Sequence, residues 1–396
     1  MPLSYVDNQL FLLQDNNKYN LCELIKNKSE PFYLYDLEGM KNRVELFKNY
    51  FKRNIRVHYA MKANNHPRIL KLMKEQGLGV DVVSGGELQE ALNTGFHPRD
   101  IIFSGVGKTA AELQLAIEEQ ISQINVESPQ ELERIGQIAK SLSKEIRIAW
   151  RMNPDVKAET HPYITTGFRD NKFGMDKSFL PSLIKILSDF PQLKLVGLSI
   201  HIGSQIRQIE PFIDAIHRTK IEFENLLSEG FPLETLDIGG GLGINYEKED
   251  LPGDENKIKI YAETIEQELA DFHGQLLLEP GRVLVGSFGW LFGEVQYIKK
   301  TPWKNFAILN TGMHHLMRPS LYQAHHRIQA VRKSEGPLTV YEIVGPICES
   351  ADVIGFDRPF SELKQGDWLV VEDVGAYGKV MASNYNSHQL PEEIFL

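Results

Sequence analysis

Eight short apolar, β-branched runs recur along the first three-quarters of the chain with helical patterns between them. That rhythm constrains the fold more than any other feature. The runs fall at 57–60, 80–83, 101–103, 123–126, 146–151, 195–201, 235–238 and 275–278. Segments between them, such as 110–119 and 129–142, space their apolar residues at three and four, the period of a helix. Pro129 after Ser128 fits a helix opening, with Ser128 as N-cap and Glu131 three residues on as the capping-box partner. The first five runs start about 23 residues apart, the usual length of one β-α unit in a parallel sheet. Eight such units predict a (β/α)8 barrel. A doubly wound open sheet fits less well, because no Gly-x-Gly-x-x-Gly follows an early strand.

After about residue 283 the texture changes. The runs 290–298, 306–309, 338–344 and 367–372 alternate in strand fashion between turn residues such as Glu335-Gly336-Pro337 and Gln365-Gly366-Asp367, which predicts an antiparallel β domain. The strand-like piece 10–13 joins it. The expected organisation is therefore a barrel over 31–282 and a sandwich- or barrel-like β domain built from 1–30 and 283–396. The longest connection inside the barrel, 153–178, is rich in glycine, charge and turn formers, and loops of that length are usually functional or disordered.

Composition narrows the function. At 396 residues the chain suits two domains, and 42% apolar with 24% charged residues is ordinary for a globular protein. A net charge of −10 speaks against a nucleic-acid surface. Two distant cysteines, Cys22 and Cys348, match no metal-ligand or redox spacing, which fits a reducing cytosol and a site without metal. With neither a signal-like start nor a long apolar span, the expectation is a soluble cytoplasmic protein without membrane partners.

In a barrel of this kind chemistry gathers at the carboxyl ends of the strands, and the unusual residues fall there. Lys62 closes the first run, in Tyr59-Ala-Met-Lys-Ala-Asn64; a desolvated lysine at such a place can form a Schiff base with an aldehyde. A strand-end lysine that merely snorkels to solvent is the plain alternative. Asp81 ends the second run. The sixth ends in His201-Ile-Gly-Ser204-Gln205, the seventh in Asp237-Ile-Gly239-Gly240-Gly241-Leu-Gly243, and the eighth in Glu279-Pro-Gly281-Arg282. Three consecutive glycines could be a tight turn or a phosphate cradle, and barrel phosphate sites sit after strands seven and eight. Ser204 and the amides around Gly281 could add donors. Glu279 could be an ion-pair partner of Arg282, or a carboxylate that keeps a pyridine nitrogen protonated. A Schiff-base lysine, a phosphate cradle and a carboxylate for a ring nitrogen together describe a pyridoxal phosphate site.

These motifs, with Met317-Arg318-Pro-Ser-Leu-Tyr322, Gly345-Pro-Ile-Cys348-Glu349 followed by Asp352, and Asp373-Val-Gly-Ala-Tyr377-Gly378, resemble the fold-type III pyridoxal phosphate decarboxylases, and among them the branch that acts on diaminopimelate. The match runs in order over nearly the whole chain. The resemblance implies that Lys62 holds the cofactor, His201 stacks on its ring, Glu279 meets its nitrogen and Asp81 supports it near Lys62. It places Ser204, Gly239, Gly240, Gly241, Gly281, Arg282 and Tyr377 around the phosphate. Arg282, Arg318, Tyr322 and Tyr377 would contact the substrate, the two arginines and Tyr322 at its distal carboxylate, and Glu349 would take its distal ammonium. Cys348 and Glu349 would reach a neighbouring site in a homodimer, and either Cys348 or Lys62 would return the proton. The implied reaction converts meso-2,6-diaminopimelate to L-lysine and carbon dioxide. A relative acting on ornithine, lysine, carboxynorspermidine or a carrier-linked or siderophore-precursor amino acid is the alternative, and an amino-acid racemase a more distant one. Two departures stand out: Ala351 replaces the usual glycine in Cys348-Glu-Ser-Ala-Asp352, and Asn171 replaces serine before Lys172-Phe-Gly174. The segment around 167–174 is expected to lie over the substrate.

Overall fold

The computed structural model describes residues 3–14, 17–156, 171–247 and 253–396, which form two compact units. One comprises Arg43–Ile244 and Pro252–Leu284; the other comprises Met1–Asn42, Asn245–Leu251 and Val285–Leu396.

The first unit is a closed barrel of eight parallel strands: β1 (Ile55–Ala60), β2 (Gly79–Val82), β3 (Ile101–Phe103), β4 (Gln123–Val126), β5 (Ile146–Arg151), β6 (Leu193–Ser199), β7 (Thr235–Asp237) and β8 (Gln275–Leu278). Each neighbours the next in sequence, and β8 closes on β1 with Leu276 opposite Ile55. All eight expected runs are strands of this barrel. The helix Pro129–Leu142 shows how sequence sets a crossover. Ser128 Oγ accepts from the amide of Glu131, Pro129 occupies the first turn, and Leu132, Ile135, Gly136 and Ala139 form the buried face. The expected reciprocal bond from Glu131 is redirected. Its carboxylate accepts from the amide of Glu127 and pairs at 2.7 Å with buried Lys108, whose charge has no other carboxylate partner among the described residues.

Barrel interiors of this type are usually filled by branched apolar side chains. Here Gln123, Asn125, Thr235, Asp237, Glu279, Asp81 and Ser104 are all buried. A buried polar group must be hydrogen-bonded or it is costly, so this layer is a built network rather than an accident of packing.

The second unit carries a three-stranded antiparallel sheet (Leu3–Val6, Gln9–Gln14, Asn17–Asn20) and a larger mixed sheet. The larger sheet runs Ile328–Ala330, Trp368–Val371, Gly289–Lys300, Asn305–Leu309, Leu338–Val344, Val353–Ser361. Most pairs are antiparallel, as expected, but Asn305–Leu309 lies parallel to Leu338–Val344, and Phe32–Tyr35 lies parallel to Glu392–Phe395. Phe32–Tyr35 also pairs with Gly289–Lys300, and the rings of Phe32 and Phe292, directly opposite in register, stack at 4.6 Å. That pairing moves the expected boundary at residue 31 to residue 43: the apolar run of Phe32–Tyr35 belongs to this sheet. Residues 245–247 likewise join this unit, and residues 283–284 stay with the barrel.

Candidate active site

Lys62 sits on a single turn, Met61–Ala63, that caps β1. Its Nζ donates to Asp81 Oδ2 at 2.9 Å, and the ammonium is about one-third exposed while Asp81 is fully buried. Asp81 Oδ1 has no hydrogen-bond partner among the described residues. An amine held by a buried carboxylate at the barrel mouth is a chemical device rather than a solubilising one.

His201 follows β6. Its Nδ1 accepts from the amide of Gly240 at 3.3 Å, so the ring proton lies on Nε2. Burial first, then the nearby Lys62 and Arg151 cations, push the imidazole well below its ordinary range, and the ring is neutral at physiological pH. Arg151 in turn pairs with Glu127, whose second oxygen accepts from the amide of Gly174 at 2.8 Å. The expected substrate-covering segment is therefore anchored at its carboxyl end; residues 157–170 lie outside the described residues.

The glycine run has a backbone reason before any ligand is considered. A side chain at Gly240 would put its Cβ 2.1 Å from the carbonyl oxygen of Glu279, and one at Gly241 would meet that of Gly203 at 2.4 Å. Gly239 and Gly241 also have φ of 68° and 109°, where glycine is strongly favoured. The amides divide. Gly239 N–H donates to Asp237 Oδ1 and Gly240 N–H to His201, which leaves Gly241 N–H and Gly281 N–H without internal partners among the described residues. The expected cradle of three glycine amides narrows to Gly241, because the other two orient side chains of the site. Arg282 donates to Ser204 Oγ at 2.9 Å, tying the ends of β6 and β8 together.

Glu279, beyond β8, is buried, and its Oε1 accepts from Asn125 Nδ2 at 3.3 Å and Ser104 Oγ at 3.5 Å. Gln123 donates to Asn125 Oδ1 at 2.7 Å, which fixes the sense of that amide. Burial, followed by the neighbouring Asp237 and Asp81 carboxyls, raises Glu279 well above the ordinary carboxyl range. Asp237 is pushed up to about 6, burial again being the largest cause.

In the β unit, Arg318 opens the short helix Arg318–Tyr322 and is buried. Its guanidinium lies 4.4 Å from the Tyr246 ring centroid and donates to His326 Nε2 at 2.7 Å. His326 Nδ1 donates to the carbonyl of Glu372 at 2.7 Å, so its Nε2 is free to accept. Tyr322, half-buried, ends the same helix. Cys348 and Glu349 lie exposed on a turn pinned by Asp352, whose two oxygens accept from Met313 N at 2.6 Å and Ile347 N at 2.7 Å. Ser320 Oγ donates to the carbonyl of Ala351 at 2.7 Å, which joins the Arg318 helix to that turn. Glu349 accepts from Tyr385 at 2.6 Å. Tyr377 sits in a glycine-flanked turn with φ of 56°. Sequence reasoning missed Asn125, Gln123, Ser104, Tyr246, His326 and Tyr385. Asp237 was visible at its strand end but carried no role.

The pyridoxal binding domain of the pyridoxal-dependent decarboxylases matches residues 37–286, and the chain belongs to that family. Its cofactor is pyridoxal 5′-phosphate, and the unpartnered oxygen of Asp81 beside Lys62, the spare Gly241 and Gly281 amides and the buried Glu279 fit it. Within the family it is similar to diaminopimelate decarboxylases. That of Aquifex aeolicus is 40% identical over 394 residues, covering 100% of this chain and 92% of the relative. The structure of the Helicobacter pylori enzyme complexed with L-lysine superposes with a TM-score of 0.90 at 40% identity, over 95% of this chain and 94% of that one. The enzyme from M. jannaschii in co-complex with L-lysine gives 0.91 at 35% identity, over 100% and 92%.

Proposed function

We propose that this chain decarboxylates meso-2,6-diaminopimelate to L-lysine and carbon dioxide, the last step of lysine biosynthesis, in the cytoplasm. The observation that carries the substrate is Arg318, a buried guanidinium set in a fixed plane by Tyr246 and His326. A planar fork held in that way suits a carboxylate gripped by two parallel hydrogen bonds, and a simple diamine precursor has no distal carboxylate to offer it. Arg282, Tyr322 and Tyr377 complete the substrate contacts, and Glu349, oriented by Tyr385, receives the distal ammonium.

Pyridoxal phosphate supplies the electron sink for the pair left behind when carbon dioxide departs. Lys62 would bind it, with Asp81 holding the amine in place, and neutral His201 would lie against its ring without adding charge. Glu279 would meet the ring nitrogen, while Gly241, Gly281, Ser204 and Arg282 would hold the phosphate, with the backbone at Gly239 and Gly240 shaping the approach. Binding energy from the distal end positions the departing carboxylate in a poorly solvated place, where loss of charge is favoured. Cys348 or Lys62 returns the proton. The exposed Cys348–Glu349 turn supports a homodimer in which this pair serves the neighbouring subunit's site. Chiral analysis of the product tests the reaction: L-lysine from the meso isomer is expected, and a racemised or unchanged diacid would refute it.

A further inference from the structure

A cleft of about 260 Å3 opens beside the amino half of β1, at the far end of the strand from Lys62. Lys48, Arg53 and Arg56 line it, and Asp100 is the one carboxylate among its described lining residues. The chain as a whole carries a net charge of −10, so this wall is basic against an acidic background. A cluster of one sign in a cleft focuses the field and draws counter-ions to it.

The three cations are not equally engaged. Arg53 is committed to the wall: its Nε donates to Glu266 at 3.3 Å and a terminal nitrogen to the carbonyl of Leu269 at 2.6 Å. Lys48 Nζ donates to the carbonyl of Gln76 at 2.9 Å and has no carboxylate partner among the described residues. Arg56 lies 3.9 Å from Asp100 with both side chains about half exposed, and a pair of that kind contributes little. Lys48 and Arg56 therefore have charge to offer the cleft.

The floor holds a third group. His58 is 2% exposed, and its Nδ1 has no hydrogen-bond partner among the described residues. A Cβ at Gly79 would lie 2.4 Å from both the His58 ring and the carbonyl oxygen of Asp100, so glycine there makes the room that the ring occupies. Burial is the main cause that pushes the imidazole down to about 4; Asp81 opposes it and Arg56 adds to it. The ring is neutral at physiological pH and keeps one N–H. A buried polar nitrogen without a partner is costly, and an acceptor in the cleft removes that cost.

We propose that this cleft is a second anion site, separate from the cofactor's, that takes a phosphate-type dianion: the free ion or the phosphate of a small ester. Two cations match a charge of −2. A tetrahedral oxyanion accepts from several directions at once, which suits donors from the last turn of the helix Leu37–Asn49 (Lys48), from β1 (Arg56) and from the floor (His58). Pockets for drug-sized ligands start at about 300 Å3, so this smaller cleft suits a small anion. Arg56 turns from Asp100 to the anion as it enters, and half-exposed Asp100 keeps its charge in solvent. The site lies within the barrel and does not depend on which amino acid the active site takes.

Isothermal titration of the pyridoxal phosphate-loaded protein with inorganic phosphate, at neutral pH and constant ionic strength, tests the site, because the cofactor already fills its own phosphate pocket. One saturable event is expected. Lys48→Gln and Arg56→Gln change exposed side chains, and each should weaken binding about tenfold or more, the scale of one hydrogen bond to a charged group, without moving the cofactor's absorbance. His58→Gln should weaken it as well, and the two surface variants decide the question if that protein does not fold. Tighter binding of glycerol 3-phosphate than of the free ion identifies an ester as the occupant, and the reverse order identifies inorganic phosphate. Acetate at the same ionic strength should not displace phosphate. No saturable event, binding that both surface substitutions leave unchanged, or ready displacement by acetate would overturn the proposal.

Discussion

Replacing Gly240 with alanine separates two explanations of the glycine run. The new Cβ would sit 2.1 Å from the carbonyl oxygen of Glu279, and carbon–oxygen contacts settle at about 3.3 Å, so the ends of β7 and β8 must part by roughly 1 Å. That movement stretches the 2.8 Å bond from Glu279 N to Gly239 O. Overpacking of a tight interior costs about 1–3 kcal/mol, and a weakened buried backbone bond adds about 1 kcal/mol or more. The expected loss is therefore about 3 kcal/mol of apoprotein stability, measured by urea unfolding followed with tryptophan fluorescence. Gly107→Ala, where nothing lies within 4 Å, is the control and should change little. Should Gly240→Ala leave apoprotein stability intact and weaken only cofactor binding, the packing argument fails and the glycines serve the phosphate alone.

Four further outcomes are expected. Lys62→Ala should lose both the visible cofactor band and the borohydride-stable adduct found by mass spectrometry in the wild type; a retained adduct elsewhere would displace Lys62 from its role. Arg318→Ala should raise the KM for the diacid about 100-fold, the scale of leaving a buried charge without its partner, while the cofactor spectrum is unchanged. Asp352→Asn should destabilise the β unit by about 2 kcal/mol, since the amide group cannot accept at both Met313 N and Ile347 N, and thermal melting would show it. For pH, Asp237 is raised from its ordinary 3.8 to about 6, so the folded apoprotein keeps a proton that the unfolded chain releases. Its contribution to stability is full below that window and declines as pH rises through it; urea midpoints between pH 4 and 6 should fall more in the wild type than in Asp237→Asn.

The barrel was legible because its eight runs carry a regular β-α spacing that few folds share. The strand Phe32–Tyr35 was not, since an apolar run of four looks the same whether it belongs to a barrel or a mixed sheet. Glu392–Phe395 was hidden by its two glutamates, and among the described residues it pairs with a strand near the other end of the sequence. At the site, Lys62, His201 and Glu279 were visible because strand ends are where odd residues stand out. Gln123, Asn125 and Thr235 were invisible for the opposite reason: within a strand a polar residue reads as facing solvent, and only closure of the barrel turns that face inward. Tyr246, His326 and Tyr385 act through partners distant in sequence or on other elements, which no local pattern reveals.

Decarboxylation of a diamino diacid is read most plainly from carbon dioxide release under competition. Given meso-2,6-diaminopimelate and L-ornithine at equal concentration, the pyridoxal phosphate-loaded protein should release carbon dioxide almost entirely from the diacid. Preferential release from ornithine, or equal release from both, would contradict the assignment of Arg318 and the substrate with it.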